Sequence, residues 1–82
     1  MERDEEVRFA ILDRLKAIGA QPFQPVNLYA IGTALVPAGY SEHEIVDGVI
    51  GLQDRRIIDL MHGNRIQLLA PARSHAPHKP IV

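Results

Sequence analysis

One stretch of the sequence, SEHEIVDGVIGLQDRRIIDLMHGNRIQLL from Ser41 to Leu69, narrows the possible folds more than any other. Ser41 and Glu44 stand three apart ahead of an apolar run, the spacing of a capping box: the Ser41 hydroxyl oxygen accepts from the Glu44 amide, and the Glu44 carboxylate accepts from the Ser41 amide. A helix therefore starts here. Ile45, Val49 and Leu52 recur at i, i+4 and i+7, and Val46 and Ile50 widen the stripe that seals against the rest of the chain. The opposite face shows His43, Glu44, Asp47, Gly48, Gly51 and Asp54 or Arg55. From residue 57 the hydrophobic period falls from 3.6 to 2. Ile58 and Leu60 alternate with Asp59 and Met61, and Ile66 and Leu68 with Arg65 and Gln67, as in two half-buried strands. Placing Leu60 opposite Ile66 and Ile58 opposite Leu68 calls for a three-residue His62-Gly63-Asn64 loop. A two-residue Gly63-Asn64 turn would instead set Gln67 against Leu60.

The chain before Ser41 reads as two further helices. Residues 3 to 18 carry Val7, Ala10 or Ile11, Leu15 and Ile18 at three- and four-residue spacing, and Gly19 ends the element. Glu2, Asp4, Glu5 and Glu6 crowd the first turn and Lys16 stands near the end, which suits the helix dipole; Asp4 and Arg8 are spaced for an i,i+4 ion pair. The connector Gln21 to Pro25 is set by two prolines, with Phe23 expected to close the core from the loop and Val26 to add one edge pairing to the later hairpin. Asn27 is placed to cap a short helix from Leu28 to about Val36, with Leu28, Ile31 and Leu35 on one face. Pro37 is expected to stop that helix by driving Val36 out of helical geometry, and Ala38-Gly39-Tyr40 to turn the chain. The Pro-rich residues 71–82 show no periodicity and read as a flexible tail.

At 82 residues this is one domain, residues 1–70, with an aliphatic core: 46% of the residues are hydrophobic and only 5% aromatic. The absence of cysteine excludes disulfides and thiolate metal sites. No apolar run is long enough to span a membrane, and the acidic start MERDEEVRF has no signal-peptide pattern, so a cytoplasmic location is expected. His75 and His78 stand three apart in the tail and His62 lies in a turn, without the company of a metal site. No glycine-rich phosphate loop occurs and no paired carboxylates have a pocket to work in, so neither enzyme activity, cofactor nor small-molecule substrate is expected. The net charge of −1 hides a split, with −4 across residues 41–54 and +4 across 55–82.

The order helix, connector, helix, turn, helix, hairpin, with Ser41-x-x-Glu44-Ile45, Val49-x-x-Leu52, Arg56-Ile57-Ile58 and Gly63-x-x-Ile66-x-Leu68, resembles winged helix-turn-helix domains, small bacterial transcription regulators among them. The resemblance runs to Leu69. It implies a mainly α fold of three helices with a small β-hairpin as C-terminal wing. In the DNA-binding members the third helix enters the major groove and the wing lies along the backbone or minor groove. Carried onto this chain, that implies a homodimeric DNA-binding transcription regulator contacting nucleic acid through His43, Arg55, Arg56 and Arg65. The alternative is a winged-helix module for protein interaction or homodimerisation that does not bind DNA, with contacts at Glu44, Asp47, Gly48 and Gly51. The acids of the third helix repel a duplex, and its two glycines suit the close approach of another helix.

Overall fold

The computed structural model describes residues 2–70, so the Pro-rich segment 71–82 lies outside the described residues. Helix α1 spans Arg3–Ala17, strand β1 Val26–Asn27, helix α2 Leu28–Leu35, helix α3 Glu42–Asp54, strand β2 Ile58–Met61 and strand β3 Arg65–Leu68. The hairpin has the register that the apolar alternation demands, Ile58 opposite Leu68 and Leu60 opposite Ile66, around the His62-Gly63-Asn64 loop. Gly63 and Asn64 both take positive φ there, which glycine and asparagine tolerate best. Val26 pairs with Ile66 and Asn27 with Arg65, so the sheet has three antiparallel strands in the order β1-β3-β2 rather than a bare hairpin.

One core serves all six elements. Val7, Ile11, Leu12 and Leu15 of α1 meet Ile31 and Leu35 of α2, Ile45, Val49 and Leu52 of α3, and Ile58, Ile66 and Leu68 of the sheet. In α1 the buried stripe includes Leu12 and stops short of Ile18, which closes the helix and stays 38% exposed. The expected Asp4–Arg8 pair is not among the ion pairs of the described residues. Arg3 instead bridges Glu6 at 3.6 Å and Glu44 at 2.7 Å, because the start of α3 offers it a second acid.

All three helices end on the same pair of backbone bonds, one closing six residues and one closing four. Ala20 N donates to Leu15 O and Gly19 N to Lys16 O after α1; Tyr40 N donates to Leu35 O and Gly39 N to Val36 O after α2; Ile57 N donates to Leu52 O and Arg56 N to Gln53 O after α3. The residue at the pivot takes a positive φ each time: Gly19 at 75°, Gly39 at 109° and Arg56 at 61°. Pro37 therefore does not push its neighbour out of the helix. Val36 keeps helical angles (φ −61°, ψ −48°), its amide still donates to Gly32 O at 2.9 Å, and the turn runs on to Gly39. Proline removes only its own donor, which costs least where the helix is about to end.

Phe23 does not close the core. Pro22 and Phe23 form the middle of a turn in which Gln24 N donates to Gln21 O at 3.2 Å, with Phe23 at φ 61° in the place where such turns favour glycine. Its amide donates to Leu68 O at 2.8 Å, fixing the turn to the end of β3. That geometry aims the ring outward, and it is 67% exposed.

Candidate functional site

The third helix is rotated relative to the expected orientation. Glu44, Gly48 and Gly51, at i, i+4 and i+7, form the row that lies on α1 rather than an outward face. Gly48 is buried, and a β-carbon built there would stand 2.7 Å from Ile11 Cδ1 and 2.9 Å from Val7 Cγ1. One built on Gly51 would stand 3.3 Å from Arg8 Cδ and 3.4 Å from Arg55 Nη1. The glycines do admit a close helix, but that helix is the chain's own α1. Gly48 is thereby removed as a partner contact.

Glu44 is equally occupied. Its carboxylate accepts from Arg3 Nε at 2.7 Å and Nη2 at 3.1 Å and from the Ser41 amide at 2.9 Å, while its own amide donates to Ser41 Oγ at 3.1 Å. The Arg3 hydrogen bond, followed by that of the Ser41 amide, holds the Glu44 carboxyl down at about 2. Arg3 also donates to Gly39 O at 3.0 Å and lies 4.6 Å from the centre of the Tyr40 ring, whose hydroxyl donates to Glu6 at 2.7 Å. That bond to Glu6 raises the Tyr40 pKa. The cluster ties the start of α1 to the α2–α3 turn and to the capping box, and it fixes the tilt of α3.

The outward face of α3 is then His43, Val46, Asp47, Ile50 and Asp54. Val46 is 43% exposed and Ile50 42%, so neither seals the core as their hydrophobicity suggested. His43 Nε2 lies 3.2 Å from Asp47 Oδ2 on this face. Val46 shares with Tyr29 of α2, Val36 at that helix's end, Glu42 and Asn64 a groove of about 570 Å³ between the two helices. The sheet adjoins α3 here, the Leu60 amide donating to Gln53 Oε1 at 2.9 Å. Tyr29, Val36 and Val46 line the groove and Ile50, one turn on from Val46, continues it along α3, so four of the seven large hydrophobic residues exposed among the described residues stand on this side. Single exposed apolar residues are ordinary, but such a grouping marks an interaction site. Tyr29 and Val36 were legible in part: they fall seven apart, opposite Leu28, Ile31 and Leu35.

Acids rim this face and cations are missing from it. Between Lys16 and Arg55 the sequence holds no lysine or arginine, so neither α2 nor α3 carries one, while Glu42 lines the groove, Asp47 follows Val46 on the exposed side of α3, and Asp54 ends that helix next to Arg55. The arginines lie elsewhere and do not converge. Arg55 turns back so that its Nη1 donates to Gly51 O at 3.0 Å, beside Arg8; Arg56 stands before β2; Arg65 opens β3 at the hairpin end, its Nε donating to His62 O at 3.4 Å. The length of the strands, about 13 Å for four residues, separates Arg65 from Arg55 and Arg56. No group of three metal-binding side chains occurs among the described residues, and no helix there is long and apolar enough to cross a membrane. Comparison with protein families, curated proteins and solved structures gives no match to this chain.

Proposed function

We propose that this chain is a winged-helix domain serving as a protein-interaction module, and that its α2–α3 face docks a protein rather than a DNA duplex. The element order α1-β1-α2-α3-β2-β3 with a β1-β3-β2 sheet supports the winged-helix reading. The observation that carries the function is the composition of the face on which such a domain would meet DNA. It has apolar side chains at its centre, acids at its rim, and no lysine or arginine on either helix. A duplex gains affinity chiefly by exchanging counterions for cations, and this face has none to offer. A protein partner gains from burying Tyr29, Val46 and Ile50 and from placing its own cations against Glu42 and Asp47.

The test is a photo-crosslinking amino acid at position 46 in the cell of origin. Adducts that contain protein and no nucleic acid are expected. Adducts dominated by DNA would overturn the proposal.

A second reading rests on Arg65, Arg55 and Arg56, which are exposed and have no carboxylate within ion-pair distance among the described residues. In it the hairpin lies along a phosphate backbone without help from α3. Binding of duplex DNA that weakens steeply with salt, and roughly equally for all sequences on Arg65→Ala, would favour it.

A further inference from the structure

Phe23, the exposed aromatic outside the α2–α3 face, lies toward the end of β3 away from the hairpin loop. Phe23 is fastened to that end by its bond to Leu68 O, and Arg56 reaches it from the other side, since Leu69 N donates to Ile57 O at 2.9 Å. Pro22 and Ile58 flank Leu68 on its two sides. The backbones bearing Phe23 and Arg56 are therefore about two strand spacings apart, roughly 10 Å.

Both residues are held in the left-handed backbone region, at φ 61° each. A bulky side chain there is an outlier that costs on the order of 1–3 kcal/mol, and such residues gather where a surface binds something. The other two helix ends in this chain place glycine at the same pivot. The third places an exposed arginine next to a second one, Arg55, and an exposed aromatic faces the solvent nearby. Both side chains are exposed.

The molecule thus carries two surfaces of opposite character. Toward the hairpin loop is an apolar groove with Glu42 on its lining and Asp47 one position on from Val46, and Arg65 stands at the hairpin itself. At the other end are an aromatic ring and two arginines, with Asp54 next to them in the chain.

We propose that the occupant of the α2–α3 face is a second copy of this chain, joined head to tail: Phe23 of one copy enters the groove beside Tyr29 and Val46 of the next, and Arg55 and Arg56 meet Glu42 and Asp47. This proposal rests on the protein-binding reading of that face. A two-fold contact of the face with itself would oppose like acids, so the charge distribution favours the head-to-tail arrangement, which extends into an oligomer or closes as a ring. Two surfaces that are both partly charged steer the encounter, and salt weakens it.

Sedimentation velocity tests it with the purified full chain and three substitutions. Wild type is expected to shift from monomer to dimer and larger species as concentration rises at low salt, with association weakened about tenfold or more by roughly 0.5 M NaCl. Ile50→Lys spoils the acidic face and Arg56→Glu the basic end; Val46→Lys serves if Ile50→Lys melts early. Each variant alone stays monomeric. An equimolar mixture of Ile50→Lys with Arg56→Glu has one intact interface left and forms a 1:1 dimer that grows no further. A wild type that stays monomeric overturns the proposal, as does a dimer indifferent to Arg56→Glu or a mixture that fails to associate. Adducts at position 46 to a different protein, with the chain itself monomeric, would remove the second copy and leave the protein-binding reading standing.

Discussion

Four glycines and one arginine show how much single positions decide here. Gly48 and Gly32 both sit inside helices, where alanine is favoured over glycine by about 1 kcal/mol. A β-carbon at Gly32 meets nothing within 4 Å, so Gly32→Ala should stabilise the fold by about 0.5–1 kcal/mol in urea unfolding. A β-carbon at Gly48 comes within 3.0 Å of both Ile11 and Val7. Ile11 can move its terminal methyl, but Val7 is stiff and buried, so Gly48→Ala should cost a net of about 1 kcal/mol despite the propensity gain. If both substitutions stabilise equally, the close approach of α3 to α1 is wrong. Arg56 is the converse of Gly19 and Gly39. Relief of a left-handed side chain is worth about 1–2 kcal/mol, and glycine returns about 0.5–1 of that as chain entropy, so Arg56→Gly should raise stability by about 0.5–1 kcal/mol. The same substitution should weaken association in the ultracentrifuge. A residue that costs stability while supporting contact is the pattern expected of a binding position.

Among the elements, the capping box of α3 is more than a helix start, because Arg3 ties it to α1. The Glu44 carboxyl is held at about 2, below its usual 4.5, so folding favours its ionised form. The contribution is present in full above about pH 4.5 and is lost as pH falls from there towards 2. Urea midpoints measured down this window should fall for wild type and fall less for Glu44→Gln; equal slopes would mean that the Arg3 bridge does not persist in solution. Such local chemistry was legible in the sequence. The Ser41–Glu44 box, the Asn27 cap and the hairpin register all depend on neighbours a few residues away or on a strict alternation. The rotation of α3 was not, since Val46 and Ile50 carry the hydrophobic signal and Gly48 and Gly51 carry none. Burial there is decided by how near α1 must come, a steric matter that only small residues satisfy. Phe23 misled in the same way: its apolarity pointed inward, whereas the turn between Pro22 and Gln24 fixes its direction outward.

At the scale of the whole molecule, neither α2 nor α3 carries a lysine or arginine, while Arg55 and Arg56 follow α3 and Arg65 opens β3. The α2–α3 face carries Tyr29, Val46, Ile50, Glu42 and Asp47, which together suit protein far better than phosphate. The arginines proposed for DNA are exposed but do not converge: Arg55 and Arg56 stand at the end of α3, and Arg65 at the far end of the hairpin. The central claim is therefore about which surface stays dry of DNA. Titrating the isotopically labelled protein with a mixed-sequence duplex at low salt, and following every backbone amide by two-dimensional NMR, tests it most directly. We expect the amides of His43, Val46, Asp47 and Ile50 to stay in place, with any shifts confined to the neighbourhoods of Arg65, Arg55 and Arg56. The largest shifts falling on Val46, Asp47 and Ile50 would contradict it.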